Sequence, residues 1–195
     1  MKLISPAHIL SDQLWQLHCL ESQVARALPV LSGSVLNSRL RGLLTGRARC
    51  ARERHDILED LIKHHGHPTA TKTLDAVRGI LAEGERELSR IHHPCVRDVA
   101  MIEHCIRIEQ HATTAYGIAV PLAHRIGFSL ISEKLRLLLG DLESARPSFQ
   151  SVEAEVFAIA ASHHPICGGT PRLPASVRAR DQLICEGVKQ LDVAC

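Results

Sequence analysis

Two glutamates stand where helical spacing turns them inward. In steps of three and four, Val99, Ile102, Ile106, Glu109, Thr113, Tyr116 and Val120 form one face of a long helix, with a carboxylate in the middle of a mostly apolar stripe. Leu14, Leu17, Glu21, Val24, Leu28 and Leu31 repeat the pattern near the N-terminus. An unpaired buried charge is costly, so each glutamate needs a metal ion, a cationic side chain, a proton or access to water.

Other residue types capable of chemistry are weaker signals. His18 lies one turn before Glu21 and is a candidate ligand, although a lone helical histidine reads first as a half-exposed polar residue; His111, one step off the Glu109 stripe, reads the same way. Tyr116, the single tyrosine, is expected to pack in the core with its hydroxyl satisfied. Histidines cluster at His64, His65 and His67, at His92 and His93, and at His163 and His164. These fall at helix ends and loops, where an imidazole complements free carbonyls as readily as it binds zinc or nickel. No Gly-rich phosphate loop, GxSxG elbow, HExxH or paired CxxC occurs.

The elements that position these residues are helices. Aromatic residues make up only 3% of the 195-residue chain, and Leu, Ala, Ile and Val carry the apolar content beside plentiful Arg and Glu. Ser5-Pro6 opens a first helix running to about Leu31, with Ser11 and Asp12 as alternative caps and Ser32-Gly33-Ser34 as its stop. A second helix spans about 35–65; its stripe of Leu40, Leu43, Arg47, Cys50, Arg54, Ile57 or Leu58, and Leu61 puts two arginines and a cysteine where aliphatics are usual. Thr69 to Thr73 reads as an exposed loop, and a short helix covers 74–88 with Gly79 and Gly84 weakening it. The Glu109 helix follows His92-His93-Pro94 and ends near Gly127. A fourth long helix starts near Ser129 or Ser132, has a stripe of Ile131, Leu135, Leu138, Leu142, Arg146, Phe149, Val152 and Val156, and should kink at Pro147.

The pattern predicts an all-α, ferritin-like four-helix bundle over 1–162: two antiparallel hairpins joined through the short crossover helix, then a tail, 163–195, with a short helix at about 178–191. The formal net charge of +2, without basic blocks, argues against nucleic-acid binding. No run approaches the ~18–20 apolar residues of a membrane span, and the N-terminus lacks a signal-peptide core, so a cytoplasmic location is expected. Seven cysteines without a regular framework suit reduced thiols, and Cys19, Cys50 and Cys105 sit in helical patterns as small hydrophobes.

Three sets of residues give the chain a family resemblance. They are Asp12-Gln13-Leu14 through Glu21-Ser22-Gln23 to Ala27-Leu28-Pro29, then Leu74-Asp75-Ala76-Val77 through Ala82-Glu83-Gly84-Glu85, and Val96-Arg97-Asp98 through Ile108-Glu109 to Ala115-Tyr116-Gly117. In order and spacing, from about Ser11 to Ala160, the chain resembles the ferritin-like stress-protein family of YciE and YciF. That resemblance implies a helical bundle, usually dimeric, with a two-metal site of four to six carboxylate or histidine ligands between the helices.

Carried over, the family pattern is kept at Glu21 and Glu109, but its second carboxylate on the third long helix falls on Ala112. Its second-helix Glu falls on Cys50, followed a turn later by Arg54; the fourth-helix acidic positions fall on Asp141, Leu142 and Arg146. The expectation is therefore a degenerate centre in which Arg54 and Arg146 hold Glu21 and Glu109 by charge-assisted hydrogen bonds. The function expected is then that of a non-enzymatic, structural or partner-binding homodimer associated with stress. The competing reading is a di-iron or di-manganese oxidoreductase consuming oxygen or peroxide, with Glu21, Glu53, Glu109 and Asp141 as ligands.

Overall fold

The computed structural model describes residues 5–64 and 74–163. The expected loop at 69–73, His65, His67 and the tail from 164 lie outside the described residues. Six helices fill the described chain: α1 Pro6–Ser32, α2 Ser38–His64, α3 Asp75–Ser89, α4 Pro94–Arg125, α5 Ser129–Ser144 and α6 Arg146–His163. Among the described residues, no helix is long and apolar enough to cross a membrane.

The helix ends follow local chemistry. Ser5 caps α1 by accepting from the His8 backbone N–H at 3.2 Å, and Pro6 occupies the first turn, where its missing N–H costs nothing. Asn37 caps α2 by accepting from the Leu40 N–H at 2.9 Å. Gly127, at φ 85°, closes α4, letting the Phe128 N–H reach back to the Ala123 carbonyl at 2.9 Å.

Helix α1 packs along α2, and α4 packs along α5 and α6; α1 meets α4, and α2 meets α6, which closes the ring of the bundle. The crossover helix α3 lies against α4 and α1. Two antiparallel hairpins joined by one crossover are the ferritin-like arrangement. The α1 stripe is buried as its spacing predicts, from Leu14 to Leu31, with Leu10 added.

Two stripes are rotated from their sequence reading. In α4 the most fully covered apolar positions are Met101, Ile102, Cys105, Ile108, Ala112, Tyr116, Ala119 and Ala123, while Val99, Ile106, Thr113 and Val120 are half-buried. Small alanines face the centre because α4 has neighbours on several sides, so its buried arc is wider than its large aliphatics suggest. In α2 the buried set is Leu40, Leu44, Arg47, Ala48, Ala51, Arg54, Leu58 and Ile62; Cys50 is half-buried.

The expected single fourth helix is two. Helix α5 ends at Ser144 and α6 restarts at Arg146, with Pro147 in its first turn, where proline is tolerated. A proline there cannot donate to the preceding turn, so the anticipated kink becomes a break.

Candidate functional site: a buried charge network

Helical phase puts Glu21 of α1, Arg54 of α2 and Tyr116 of α4 into one layer of the bundle, all buried. The Arg54 guanidinium donates from Nε to Glu21 Oε1 at 2.9 Å and from Nη2 to Oε2 at 3.1 Å, a two-point fork on one carboxylate. Its Nη1 donates to Asp141 Oδ2 of α5 at 2.9 Å. The Tyr116 hydroxyl donates to Glu21 Oε1 at 2.9 Å. Glu21 therefore accepts three hydrogen bonds, and Arg54 bridges a buried carboxylate to one that is half-exposed at the surface.

The electrostatics are those of a closed network. Burial favours a neutral Arg54, but the charge and hydrogen bonds of Glu21 outweigh it and hold the guanidinium above its ordinary pKa. Burial, then the adjacent Glu21 charge, pushes the Tyr116 phenol well above its ordinary value.

Glu109 lies one layer away and takes a different partner from the one expected. Arg47 of α2, not Arg146, donates to it: Nε to Oε1 at 3.1 Å, and Nη2 to Oε2. The Arg47 guanidinium also sits 5.8 Å from the centre of the Phe149 ring of α6. Arg146 is exposed, on the wall of a cleft of about 220 Å³ that also includes Glu109, Thr113, Leu142 and Phe149. Through this cleft the Glu109 side chain keeps 17% of its exposure, while Arg47 keeps 5%. Burial pushes the Glu109 carboxyl up against the opposing pull of Arg47 and Arg54.

The remaining candidates disperse. Glu53 is exposed, because Arg54 next to it holds the inward position and adjacent helical residues point about 100° apart. His18 is half-buried against His55, ring centroids 4.2 Å apart, and His111 is half-buried on α4. Cys19 is buried, and Cys50, Cys95 and Cys105 are free thiols; burial, then the Glu109 charge, pushes Cys105 up to about 12, which keeps it protonated and unreactive. Among the described residues, no three His, Cys, Asp or Glu side chains group closely enough to hold a metal ion.

Asp98 and His104 are among the buried polar residues that the sequence does not single out. Asp98 of α4 accepts from the backbone N–H groups of Leu36 and Asn37 at 3.0 and 2.6 Å, holding the start of α2. His104 is 1% exposed on the α3 side of α4. Asp98 was detectable as a carboxylate three residues before Met101 and seven before Cys105, on the buried face itself.

Comparison with known proteins agrees with this architecture. Residues 5–154 match the family model described as Domain of unknown function (DUF892). The fold is similar to that of YcfI from Rhodopseudomonas palustris, with TM-score 0.73 and 20% identity over 76% of this chain and 95% of that one. It is equally similar to the E. coli stress protein YciF, with TM-score 0.74 and 16% identity over 80% of this chain and 99% of that one. No protein of curated function matches the sequence. With three-quarters of its length matched by the family model, and with the fold of YciF, the chain belongs to the DUF892 family, the YciE- and YciF-like group that its helix motifs resemble.

Proposed function

We propose that this chain is a non-enzymatic, stress-associated bundle, a cytoplasmic homodimer that serves as a structural or partner-binding protein and does not bind nucleic acid. In it, arginine–carboxylate pairs replace the two-metal centre that the resemblance implies. The observation that carries this reading is the position of Arg54, whose guanidinium lies between Glu21 and Asp141 and uses both Glu21 oxygens.

A two-metal centre needs several free carboxylate or imidazole donors converging on each ion. Here Glu21 is taken by Arg54 and Tyr116, Glu109 by Arg47, and Glu53 faces outward. Each arginine also brings a fixed positive charge to the layer where a dication would have to sit. The donor set therefore does not fit a two-metal centre. The fold-level likeness to YcfI, provisionally described as a structural protein, and to the stress protein YciF supports the same class.

Metal analysis of freshly purified full-length protein tests the proposal. Metal well below one equivalent, and a melting temperature unmoved by added ferrous iron, are expected. Near-stoichiometric iron or manganese that disappears in a Glu21→Ala, Glu109→Ala double variant would overturn it in favour of an oxidoreductase.

A further inference from the structure

We propose that docking of the crossover helix α3 is gated by pH through His104, whose protonation releases α3 from α4 while the long helices of the bundle stay packed. The His104 ring lies directly over Gly84 of α3: a β-carbon on that glycine would overlap ring atoms Cε1, Nε2 and Nδ1. The imidazole is thus the surface on which the middle of α3 rests. Its Nε2 is buried with no hydrogen-bond partner among the described residues. A neutral ring tolerates that position; an imidazolium must donate from both nitrogens.

The charges around the ring do not supply what a cation needs. Arg107, on its own helix, repels it more than either Glu87 or Glu85 of α3 attracts it, and Glu87 is already held by Arg107 at 2.9 Å. From α1, the other helix against α3, the buried Gln23 donates to the Leu74 carbonyl at 3.4 Å, just before α3 begins. Burial, followed by Arg107, lowers the affinity of His104 for a proton below that of a free histidine. The sign follows from linkage: docked α3 binds this proton less tightly than released α3, so docking weakens as pH falls through about 6.5 towards the lower docked value.

Helix α3 is also the element least able to resist. Of its 15 residues only Val77, Gly84 and Leu88 are buried, and two glycines, Gly79 and Gly84, lower its intrinsic helicity. Elements with so few buried contacts open locally before the whole domain unfolds.

Amide hydrogen exchange on the full chain at pH 7.5 and 5.5, corrected for intrinsic exchange, reads this directly. In the wild type, protection of amides in 75–89 is expected to fall about tenfold, with α1 and α2 unchanged. In the neutral variants His104→Gln and His104→Leu it should change less than twofold. Equal protection at both pH values in the wild type, or the same loss in variants that dock normally at pH 7.5, would overturn the proposal. Should neither variant dock α3, NMR titration of the wild-type His104 ring decides: its midpoint must coincide with that of α3 opening, and separate midpoints overturn the gate.

Discussion

The Tyr116 hydroxyl donates to Glu21 Oε1 at 2.9 Å, joining α4 to α1 through the same carboxylate that Arg54 grips from α2. Three helices thereby meet on one buried acid. Tyr116→Phe removes the donor and keeps the ring, leaving Glu21 with the arginine fork alone. Hydrogen bonds to charged groups contribute about 1.5–3 kcal/mol, and the variant should lose about that much in urea unfolding with an unchanged m-value.

Truncating Arg54 is more severe. Arg54→Met strands Glu21 in the interior and should cost about 3–5 kcal/mol. Asp141, half-exposed, returns to water, so Asp141→Asn should cost no more than about 1 kcal/mol. The triple variant Glu21→Leu, Arg54→Met, Tyr116→Phe removes every stranded polar group together and should recover most of the loss. Denaturant midpoints of the three proteins check the ordering.

Arg47 and Arg146 both flank Glu109, yet only Arg47 bonds to it. Arg47→Met should destabilise by about 3 kcal/mol, and Arg146→Met, on an exposed residue, by no more than about 0.5 kcal/mol. Equal losses from thermal or urea unfolding would contradict this assignment.

Glycine substitutions should separate by neighbour. At Gly79 and Gly140 a β-carbon meets nothing within 4 Å, so Gly→Ala at either should stabilise by about 0.4–1 kcal/mol. At Gly84 the added methyl collides with the buried His104 ring, and the overpacking should outweigh the gain in helicity, for a net loss of about 1–2 kcal/mol. Paired melting curves on these variants provide the measurement.

Much of this arrangement is legible in the sequence wherever a helix runs unbroken and has one dominant neighbour. The α1 stripe and the meeting of Glu21 with Arg54 follow from spacing and the family pattern alone. The Glu109 pairing does not, because the phase counted from Leu142 to Arg146 assumes a continuous helix, and the break at Ala145 discards that phase. Arg47 sits on the α2 stripe as read, but choosing it over Arg146 requires knowing how α2 lies against α4. The α4 stripe misleads for another reason: alanines, too small to draw the eye, face the centre, and Glu109 moves to the margin of the core. Gly84 looks like a weakness in α3 until the ring resting on it is seen.

The entry to α2 is held by a residue some sixty positions further along, since Asp98 accepts from the Leu36 and Asn37 amides just before the helix. Chains emerge from the ribosome N-terminus first, at about 5–20 residues per second. The hairpin of α1 and α2 is therefore synthesised for several seconds with two amides lacking their acceptor. Until Asp98 is translated those amides can turn only to water or to local acceptors, so the entry to α2 gains this long-range hold only once α4 has begun.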